Sequence, residues 1–308
     1  MTGGQGASVA AHYERWPFPG TPHGSREGLV LLRRLMRWLP VGDGGPRPRI
    51  LDAGCGTGHT AVALALRMPH VDIVGIDVSD TALAQARSHA DEAGVSSVAF
   101  RHADLRDPLD DLGHFDVVLA LGVLHHIPDF HGAFAHVTER VAATGHLVLW
   151  LYGRHGRAQH ALHQRFLALL DEGAPEARES TAGAFLTAFG ARHVAGSGVY
   201  TPVGDGQEGV AFLRSHPSWL ADQMFPPYER PVTLDDLFAA LDARGLAFEH
   251  WFGVPEDPER WVPDGVLRSR FERLGRRDRL RAIECLLRPA YYFISARRSV
   301  GRDAAADP

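Results

Sequence analysis

Residues 49–67 read RILDAGCGTGHTAVALALR, and this stretch decides the fold. A short apolar segment runs into a glycine-rich turn, and an Ala/Leu-rich run then predicts a helix from about Thr60. Such a strand–turn–helix unit presents backbone N–H groups and a helix N-terminus to a nucleotide-like ligand. The spacing is G-x-G-x-G, whereas dinucleotide sites use G-x-G-x-x-G, so a pyrophosphate site fits less well. The glycines are Gly54, Gly56 and Gly58.

The strand–helix pattern of this stretch recurs along the chain and occurs five times in all. Apolar runs at 71–78, 98–102, 115–121 and 146–152 predict the second to fifth strands. Ser79 is expected to cap the helix that follows the second strand. The alternation predicts a doubly wound α/β sheet with right-handed crossovers, whose ligands bind outside the carboxyl ends of the strands.

Two further segments identify a family. Asp77 ends the second strand about 20 residues beyond the glycines, where a carboxylate can accept both hydroxyls of a ribose. DAGCGTG at 52–58 and FDVVLALGVLHHIPD at 115–129 closely resemble the first and fourth motifs of class I S-adenosylmethionine (SAM)-dependent methyltransferases. The resemblance implies SAM as cofactor, S-adenosylhomocysteine (SAH) as product, and a Rossmann-like sheet closed by a sixth strand and an antiparallel seventh.

The resemblance also implies a set of cofactor-binding residues. Asp104, after the third strand, would bind the adenine amino group, although a helix cap or turn former is an alternative interpretation. The cofactor-binding candidates are Tyr13, Asp52, Gly54, Cys55, Gly56, Asp77, Val78, Ala103, Asp104, Leu105, Leu121, Gly122 and His125.

The resemblance is strong over 48–152 and weak over 231–298, which suggests a division of the chain. Residues 12–19 are expected to form an extended segment, either a surface strap or a lid that carries Tyr13, and 1–11 are expected to be frayed. The predicted parts are an N-terminal strap and helix forming a lid (1–47), a SAM-binding core (48–152 and 231–298), a mainly helical cap insertion facing the substrate (153–230) and a disordered tail (299–308).

The predicted chemistry needs a nucleophile held in line with the methyl group. A hydroxyl acceptor benefits from a base, and histidine is the natural one near neutral pH. The catalytic candidates follow the fourth and fifth strands and are His125, His126, His155 and Tyr152. Aromatic faces stabilise a sulfonium, and the candidates for that are Tyr13, Trp16, Trp150 and Tyr152. No grouping has convincing metal-ligand spacing, so no metal is expected.

Composition narrows the classes of partner. The net charge of −5 gives no general attraction to nucleic acid or anionic membranes, and no apolar run suits a signal peptide or a membrane span. Two cysteines cannot make a disulfide framework, so a reducing cytoplasm is expected. All 32 basic residues are arginine, which excludes lysine Schiff-base chemistry. The seven arginines within 268–281 are expected to lie on a solvated helix face rather than at a nucleic-acid site.

The leading hypothesis is a SAM-dependent methyltransferase that acts on an O, N or C nucleophile of a small molecule, with secondary metabolites as one substrate class. Its expected partner is that acceptor, without nucleic acid or membrane, and homodimerisation stays open. The alternatives are a methyltransferase of RNA or protein and a non-catalytic SAM-binding protein. A dinucleotide oxidoreductase is a remote fourth interpretation.

Overall fold

The computed structural model describes residues 2–20, 26–39 and 46–298, with side chains from residue 8 in the first helix and from residue 31 in the second. Seven strands form one sheet. They are β1 (Arg49–Ala53), β2 (Asp72–Asp77), β3 (Val98–His102), β4 (Phe115–Leu121), β5 (Val141–Tyr152), β6 (Leu246–Trp251) and β7 (Tyr291–Arg298).

The order of the strands across the sheet is β3-β2-β1-β4-β5-β7-β6. Strands β1 to β5 pair in parallel, whereas β7 is antiparallel to both β5 and β6. The order reverses between β1 and β4, which is where an open parallel sheet leaves a crevice at its carboxyl edge. The predicted seven-stranded Rossmann-like sheet with an antiparallel last strand is confirmed.

Helices cover both faces of the sheet, as a doubly wound fold requires. They are α1 (Thr2–Arg15), α2 (Arg26–Trp38), α3 (His59–Arg67), α4 (Asp80–Glu92), α5 (Phe130–Glu139), α6 (Ala158–Leu169), α7 (Pro175–Ala188), α8 (Gly190–Val194), α9 (Gln207–Ser215), α10 (Pro217–Met224), α11 (Leu234–Ala243), α12 (Pro258–Trp261), α13 (Gly265–Glu272) and α14 (Arg276–Leu287).

Side-chain caps fix where several helices begin. The Ser79 hydroxyl accepts a hydrogen bond from the Ala82 N–H at 3.0 Å, so the predicted cap of α4 is confirmed. Thr233 and Asp236 form a reciprocal capping box that starts α11. The first of these caps sets the direction of the chain directly after Asp77, at the carboxyl edge of the sheet.

The structure corrects two predictions. The chain between β3 and β4 contains a short 3₁₀ turn at Asp110–Leu112 where the helix of the third strand–helix repeat was expected. The N-terminal segment is helical through Arg15, so the predictions of an extended segment at 12–15 and of frayed residues at 2–11 were wrong. The prolines at 17 and 19 end the helix, and packing of α1 against the rest of the chain outweighs its weak intrinsic propensity.

The helices between β5 and α11 have an apolar core of their own. Trp219 of α10 is 1% exposed and packs among apolar side chains of α6, α7 and α9. The two sheet faces bury separate apolar clusters. The predicted domain boundaries stay a prediction, and the predicted tail at 299–308 lies outside the described residues.

The arginine-rich segment 268–281 spans α13 and α14 and forms many ion pairs. Arg276 pairs with Glu256 at 2.7 Å, and Arg277 pairs with Asp242 at 2.7 Å. Arg281 contacts Asp235 and Asp278. These acids offset much of the positive charge, as expected of a solvated helix face. Within residues 2–20, 26–39 and 46–298, no helix is long and apolar enough to cross a membrane.

Candidate active site

A cavity of about 250 Å³ opens at the carboxyl ends of the central strands. Its walls come from the turns after β1, β2, β3 and β4, from the end of β5, from α1 and from α10. Every cofactor-binding candidate of the sequence except His125 lines this cavity. We call the part around Asp52, Gly54 and Asp77 the glycine-turn end, and the part around Tyr13, His126, Tyr152 and Asp222 the α10 end.

The three glycines of the turn are required for three different reasons. All have positive φ, between 52° and 77°, which disfavours residues with a side chain. A Cβ on Gly54 would lie 2.5 Å from Val123, and one on Gly56 would collide with the Phe18 carbonyl. Gly58 does not line the cavity and instead allows contact with Ala86 of α4 and Phe100 of β3. Of these three glycines, Gly54 and Gly56 therefore line the cavity with bare backbone, and Gly58 does not.

Asp77 is held in place by two backbone donors. Its Oδ2 accepts from the Gly56 N–H and its Oδ1 from the Ser79 N–H, both at 2.9 Å. Burial raises the pKa of this carboxyl, and the backbone hydrogen bonds act in the opposite direction. The carboxylate is thus fixed at the end of β2 on the wall of the cavity, and its remaining lone pairs can accept hydrogen bonds from a ligand.

Asp52 has an unsatisfied carboxylate oxygen. Its side chain is buried, lines the cavity, and leaves Oδ2 without a hydrogen-bond partner. Burial, together with the charge of Asp77, raises the pKa of Asp52 to about 7. A buried acceptor without a donor costs about 1–3 kcal/mol, so a ligand that brings a donor to Oδ2 would recover this free energy.

Asp104 is already engaged by a neighbouring arginine. Arg106 Nε lies 3.0 Å from both carboxylate oxygens, and the Arg106 N–H donates to Oδ1 at 2.9 Å. Burial opposes ionisation of Asp104, but these Arg106 hydrogen bonds outweigh it and lower its pKa. Both side chains line the cavity, so an adenine amino group at this point would meet Asp104 together with its arginine partner.

The α10 end is built around the Asp222 carboxylate. The Tyr13 hydroxyl donates to Oδ1 at 2.9 Å, and the Tyr152 hydroxyl donates to Oδ2 at 3.3 Å. The Gln223 side-chain amide donates to Oδ2 at 2.7 Å. Burial, and next the charge of Asp222, raise the pKa of both tyrosines well above the usual range. Both phenols therefore stay protonated and act as hydrogen-bond donors.

His126 faces the same carboxylate. Its Nδ1 lies 3.0 Å from the Tyr228 carbonyl and donates to it, and in the neutral tautomer that has this hydrogen bond the lone pair is on Nε2. That nitrogen lies 3.5 Å from Asp222 Oδ1 and has no hydrogen-bond partner. His126 lines the cavity and is 3% exposed. The α10 end can therefore bind a donor hydrogen at His126.

Comparison with known proteins identifies the core. Residues 46–183 match the family model of a methyltransferase domain. These residues form a class I SAM-dependent methyltransferase domain. The match includes the glycine turn, the ends of β2 and β4, and helix α6 with most of α7.

Two curated relatives of this methyltransferase domain match different lengths of the chain. An uncharacterized Synechococcus protein, syc1184_c, is 30% identical over 255 residues, which are 78% of this chain and 57% of that protein. A ubiquinone biosynthesis O-methyltransferase of Azorhizobium caulinodans is 41% identical over 101 residues, which are 33% of this chain and 39% of that enzyme. The chain spans about half or less of the length of these curated relatives.

A solved structure shares the fold over nearly the whole chain. PKMT2 from Rickettsia typhi aligns with a TM-score of 0.68 at 10% identity, covering 94% of this chain and 56% of that one. The same Rickettsia protein has also been solved with S-adenosylhomocysteine. At this identity the likeness establishes the fold alone.

Two histidine candidates lie outside the cavity of the methyltransferase domain. His125 is fully buried behind it, with its ring 4.1 Å from that of Tyr152, and burial lowers its pKa well below the usual range. His155 is turned toward α14, where Nε2 lies 3.9 Å from Glu284 Oε1. Since neither ring lines the cavity, the structure brings only His126 and Tyr152 of the four catalytic candidates together.

The sequence interpretation missed the residues that α10 contributes to the methyltransferase site. Asp222 is buried and lies on a helix whose neighbouring residues Trp219, Leu220 and Met224 are also buried. An acid among apolar residues on a short helix was the available signal, because buried charges need partners. Tyr200, on the loop before α9, also lines the cavity and was missed as well.

Proposed function

We propose that this protein transfers a methyl group from SAM to a small-molecule acceptor. The observation that carries the proposal is the unsatisfied Oδ2 of Asp52, which faces the cavity beside bare backbone at Gly54. SAM brings an ammonium donor on its methionine portion, which suits a buried carboxylate without a donor. The methyltransferase domain at 46–183 supports the same cofactor.

The other polar groups of the glycine-turn end fit the rest of SAM. Asp77 is fixed by the Gly56 and Ser79 N–H groups and retains lone pairs for the ribose hydroxyls. The Asp104 carboxylate suits the adenine amino group. Arg106 orients this carboxylate and also competes with the amino group for its oxygens. The remaining cofactor-binding candidates supply apolar surface and backbone, apart from Tyr13, whose hydroxyl is engaged by Asp222.

The task of the protein is to position the reactants and exclude water. When bound, SAM supplies a methyl group already activated by its positively charged sulfur, so no metal or acylating group is needed. The Trp150 and Tyr152 rings lie 5.1 Å apart on the cavity wall, and such aromatic faces favour a sulfonium. Helix α1 covers the cavity, because Tyr13 binds Asp222 and Glu14 binds Ser79 and Thr81 of α4.

Among the catalytic candidates, His126 suits the role of base. It has an unpartnered ring nitrogen on the cavity wall and a tautomer fixed by Tyr228. Tyr152 suits an orienting role, since its hydroxyl donates to Asp222 and its raised pKa keeps it protonated. The His125 and His155 rings do not line the cavity, which argues against a direct part in the transfer.

A small molecule is the better acceptor class for a cavity closed by α1 and α10. The similarity to ubiquinone biosynthesis O-methyltransferases supports an oxygen acceptor. We place the protein in the cytoplasm, where its free cysteines Cys55 and Cys285 would stay reduced. Exposed Leu162, Phe166 and Leu169 on α6 suit a homodimer contact, which light scattering can check.

Titration calorimetry of the full chain with SAM and SAH tests the proposal. We expect one site with micromolar affinity, and turnover of at least one member of a panel of phenols, alcohols and amines. No binding at millimolar SAM would refute both the enzyme and the non-catalytic SAM-binding interpretation. Binding without any turnover would favour the non-catalytic one, and binding of NADH instead would favour an oxidoreductase.

A further inference from the structure

Two hydrogen-bond acceptors face each other across the α10 end with no donor between them. They are His126 Nε2 and Asp222 Oδ1, 3.5 Å apart on side chains that are 3% and 5% exposed. In the neutral tautomer whose Nδ1 donates to the Tyr228 carbonyl, Nε2 presents a lone pair. Both groups line the cavity, so a ligand hydroxyl can supply the donor hydrogen that this pair of acceptors then lacks.

The position of Asp222 is fixed by its other partners. Tyr13 from α1, Tyr152 from β5 and the adjacent Gln223 all donate to its two oxygens. The Gln223 side-chain amide also donates to the Tyr152 hydroxyl, and the side-chain oxygen of Gln223 accepts from Arg157 at 3.2 Å. This network holds the carboxylate next to His126, where a ligand hydroxyl entering the cavity can reach both groups.

We infer that the α10 end binds an uncharged aromatic hydroxyl compound whose O–H hydrogen is received by His126 Nε2 beside Asp222 Oδ1. This inference rests on the proposed function, because the hydroxyl is the methyl acceptor. His126 touches the acceptor and is its base, whereas Asp222 is a positioning residue that also stabilises the protonated ring. Asp222 comes from the insertion and nothing in the class I core motifs assigns it.

The proton balance of this step is simple. The acceptor proton would move to His126 Nε2, and the acceptor oxygen would use the O–H electron pair for its new bond to the methyl carbon. The methyl–sulfur bond of SAM would break at the same time, and its electron pair would stay on sulfur to give neutral SAH. The imidazolium that forms donates from Nε2 to Asp222 Oδ1 and from Nδ1 to Tyr228, so both N–H groups have acceptors. The proton is then released to water when the product leaves.

The charges around the cavity select against anions. Asp52, Asp77, Asp104 and Asp222 line it, and the arginine on its wall, Arg106, is already paired with Asp104. A carboxylate or phosphate near His126 would meet the Asp222 charge in a buried setting, where repulsion is strong. An acceptor that carries a negative charge is therefore excluded from the α10 end.

The number of free hydrogen-bond acceptors at the α10 end also favours a hydroxyl over an ammonium group on the acceptor molecule. A hydroxyl brings one donor, and His126 Nε2 is the acceptor at the α10 end that lacks one. An ammonium group brings three donors, while the Asp222 oxygens already accept from Tyr13, Tyr152 and Gln223.

The walls of the α10 end suit an aromatic ring on the acceptor. Five aromatic residues line the cavity, namely Tyr13, Trp150, Tyr152, Tyr200 and Trp219. The Trp150 ring lies 5.1 Å from that of Tyr152 and 4.9 Å from that of Tyr200, so these three rings form a continuous aromatic surface. Rings bind such surfaces by offset or edge-to-face contacts as well as by burial of apolar area.

Fluorine NMR on the SAH-loaded full chain can test this inference with three para-substituted fluorobenzenes that differ in charge. The probes are 4-fluorophenol, 4-fluorobenzoate and 4-fluorobenzylamine, which are neutral, anionic and cationic. We expect the phenol to bind in the millimolar range and at least about tenfold more tightly than either charged probe. The variants Asp222→Asn and His126→Gln should each weaken phenol binding about tenfold, while Asp171→Asn on the surface of the insertion should not change it.

The outcomes separate this inference from the proposed function. Failure of SAH to bind the wild-type chain refutes the proposed function itself. If SAH binds, the inference is overturned when the phenol does not bind, when a charged probe binds as well, or when both variants bind phenol like the wild type. If Asp222 had only a structural role, Asp222→Asn would change phenol, benzoate and benzylamine binding alike. That result would also overturn the inference. Should one variant fail to fold, the other variant and the ranking of the probes on the wild type still decide.

Discussion

The glycine-turn end and the α10 end of the cavity are built in different ways. At the glycine-turn end, Asp52, Gly54 and Asp77 lie within 26 positions of one another on one strand–turn–helix–strand unit. At the α10 end, the hydrogen bond between Tyr13 and Asp222 joins residues 209 positions apart. The first end is a local motif that a core fold supplies, and the second depends on two peripheral segments meeting. A cofactor common to a family is thus bound by the core, whereas acceptor choice is left to parts that can vary.

The comparison predicts that damage to the α10 end affects turnover without affecting cofactor binding. His126→Ala should lower kcat for a weakly acidic phenol by about 100-fold or more, since a positioned base contributes about 10²–10⁴. The affinity for SAH should stay within about threefold. Steady-state kinetics and calorimetry on the same preparation measure the two effects, with His155→Ala as a histidine control outside the cavity. Across a series of neutral phenols of decreasing acidity, the loss should grow as the phenol becomes less acidic, and a loss that does not depend on acidity would contradict a role as base.

Substitutions at the glycine-turn end should instead weaken cofactor binding. Asp77→Ala removes a carboxylate that would bind both ribose hydroxyls, and it should weaken SAH binding about 100-fold, since hydrogen bonds to charged groups contribute about 1.5–3 kcal/mol. The neighbouring exposed Asp80→Ala is the matched control, because its carboxylate pairs with His102 on the surface. Calorimetry gives both affinities, and equal affinities for the two variants would rule out the ribose role.

Asp52 provides a pH test of the same end. Its pKa of about 7 in the free protein means that burial disfavours the charged form, so this side chain reduces stability as the pH rises from about 4 to above 7. Asp52→Asn should therefore raise Tm at about pH 8 and leave it nearly unchanged at about pH 4. In the wild type, SAH affinity should increase about tenfold through pH 7, because the carboxylate is the form that accepts from an ammonium. Calorimetry at several pH values around 7 measures how SAH affinity changes with pH. The same change in the Asp52→Asn variant would contradict the role of Asp52 as acceptor of the SAH amino group.

The smallest expected effect concerns the helix that joins the two ends. Glu14 of α1 accepts from the Ser79 hydroxyl at 2.8 Å and from the Thr81 N–H at 3.2 Å. Glu14→Gln should weaken this attachment by about 1 kcal/mol and increase the dissociation rate of SAH a few-fold. Hydrogen exchange of residues 8–20, with and without SAH, should report faster exchange in the variant and protection by SAH in the wild type. Glu92→Gln on the exposed end of α4 is the control, and equal exchange in both variants would argue against α1 as a cover.

The same contrast explains what the sequence could predict. Strands β1 to β5, the Ser79 cap and the placement of Asp77 follow from apolar periodicity and local turn chemistry, which neighbouring residues determine. The antiparallel β7 followed from family resemblance. The helical state of residues 2–15 did not follow, because it depends on contacts with α4 and the insertion that no local pattern reveals. Asp222 was missed for the same reason, and His155 was a candidate only because position in sequence was taken for position in space.

A crystal structure of the full chain with SAH tests the central claim most directly, namely that one cavity holds the cofactor at one end and the acceptor at the other. We predict the ribose on Asp77, the amino group on Asp52 and the sulfur facing the space beside His126 and Asp222. An SAH molecule whose sulfur faces away from His126, or whose adenine occupies the α10 end, would contradict the account.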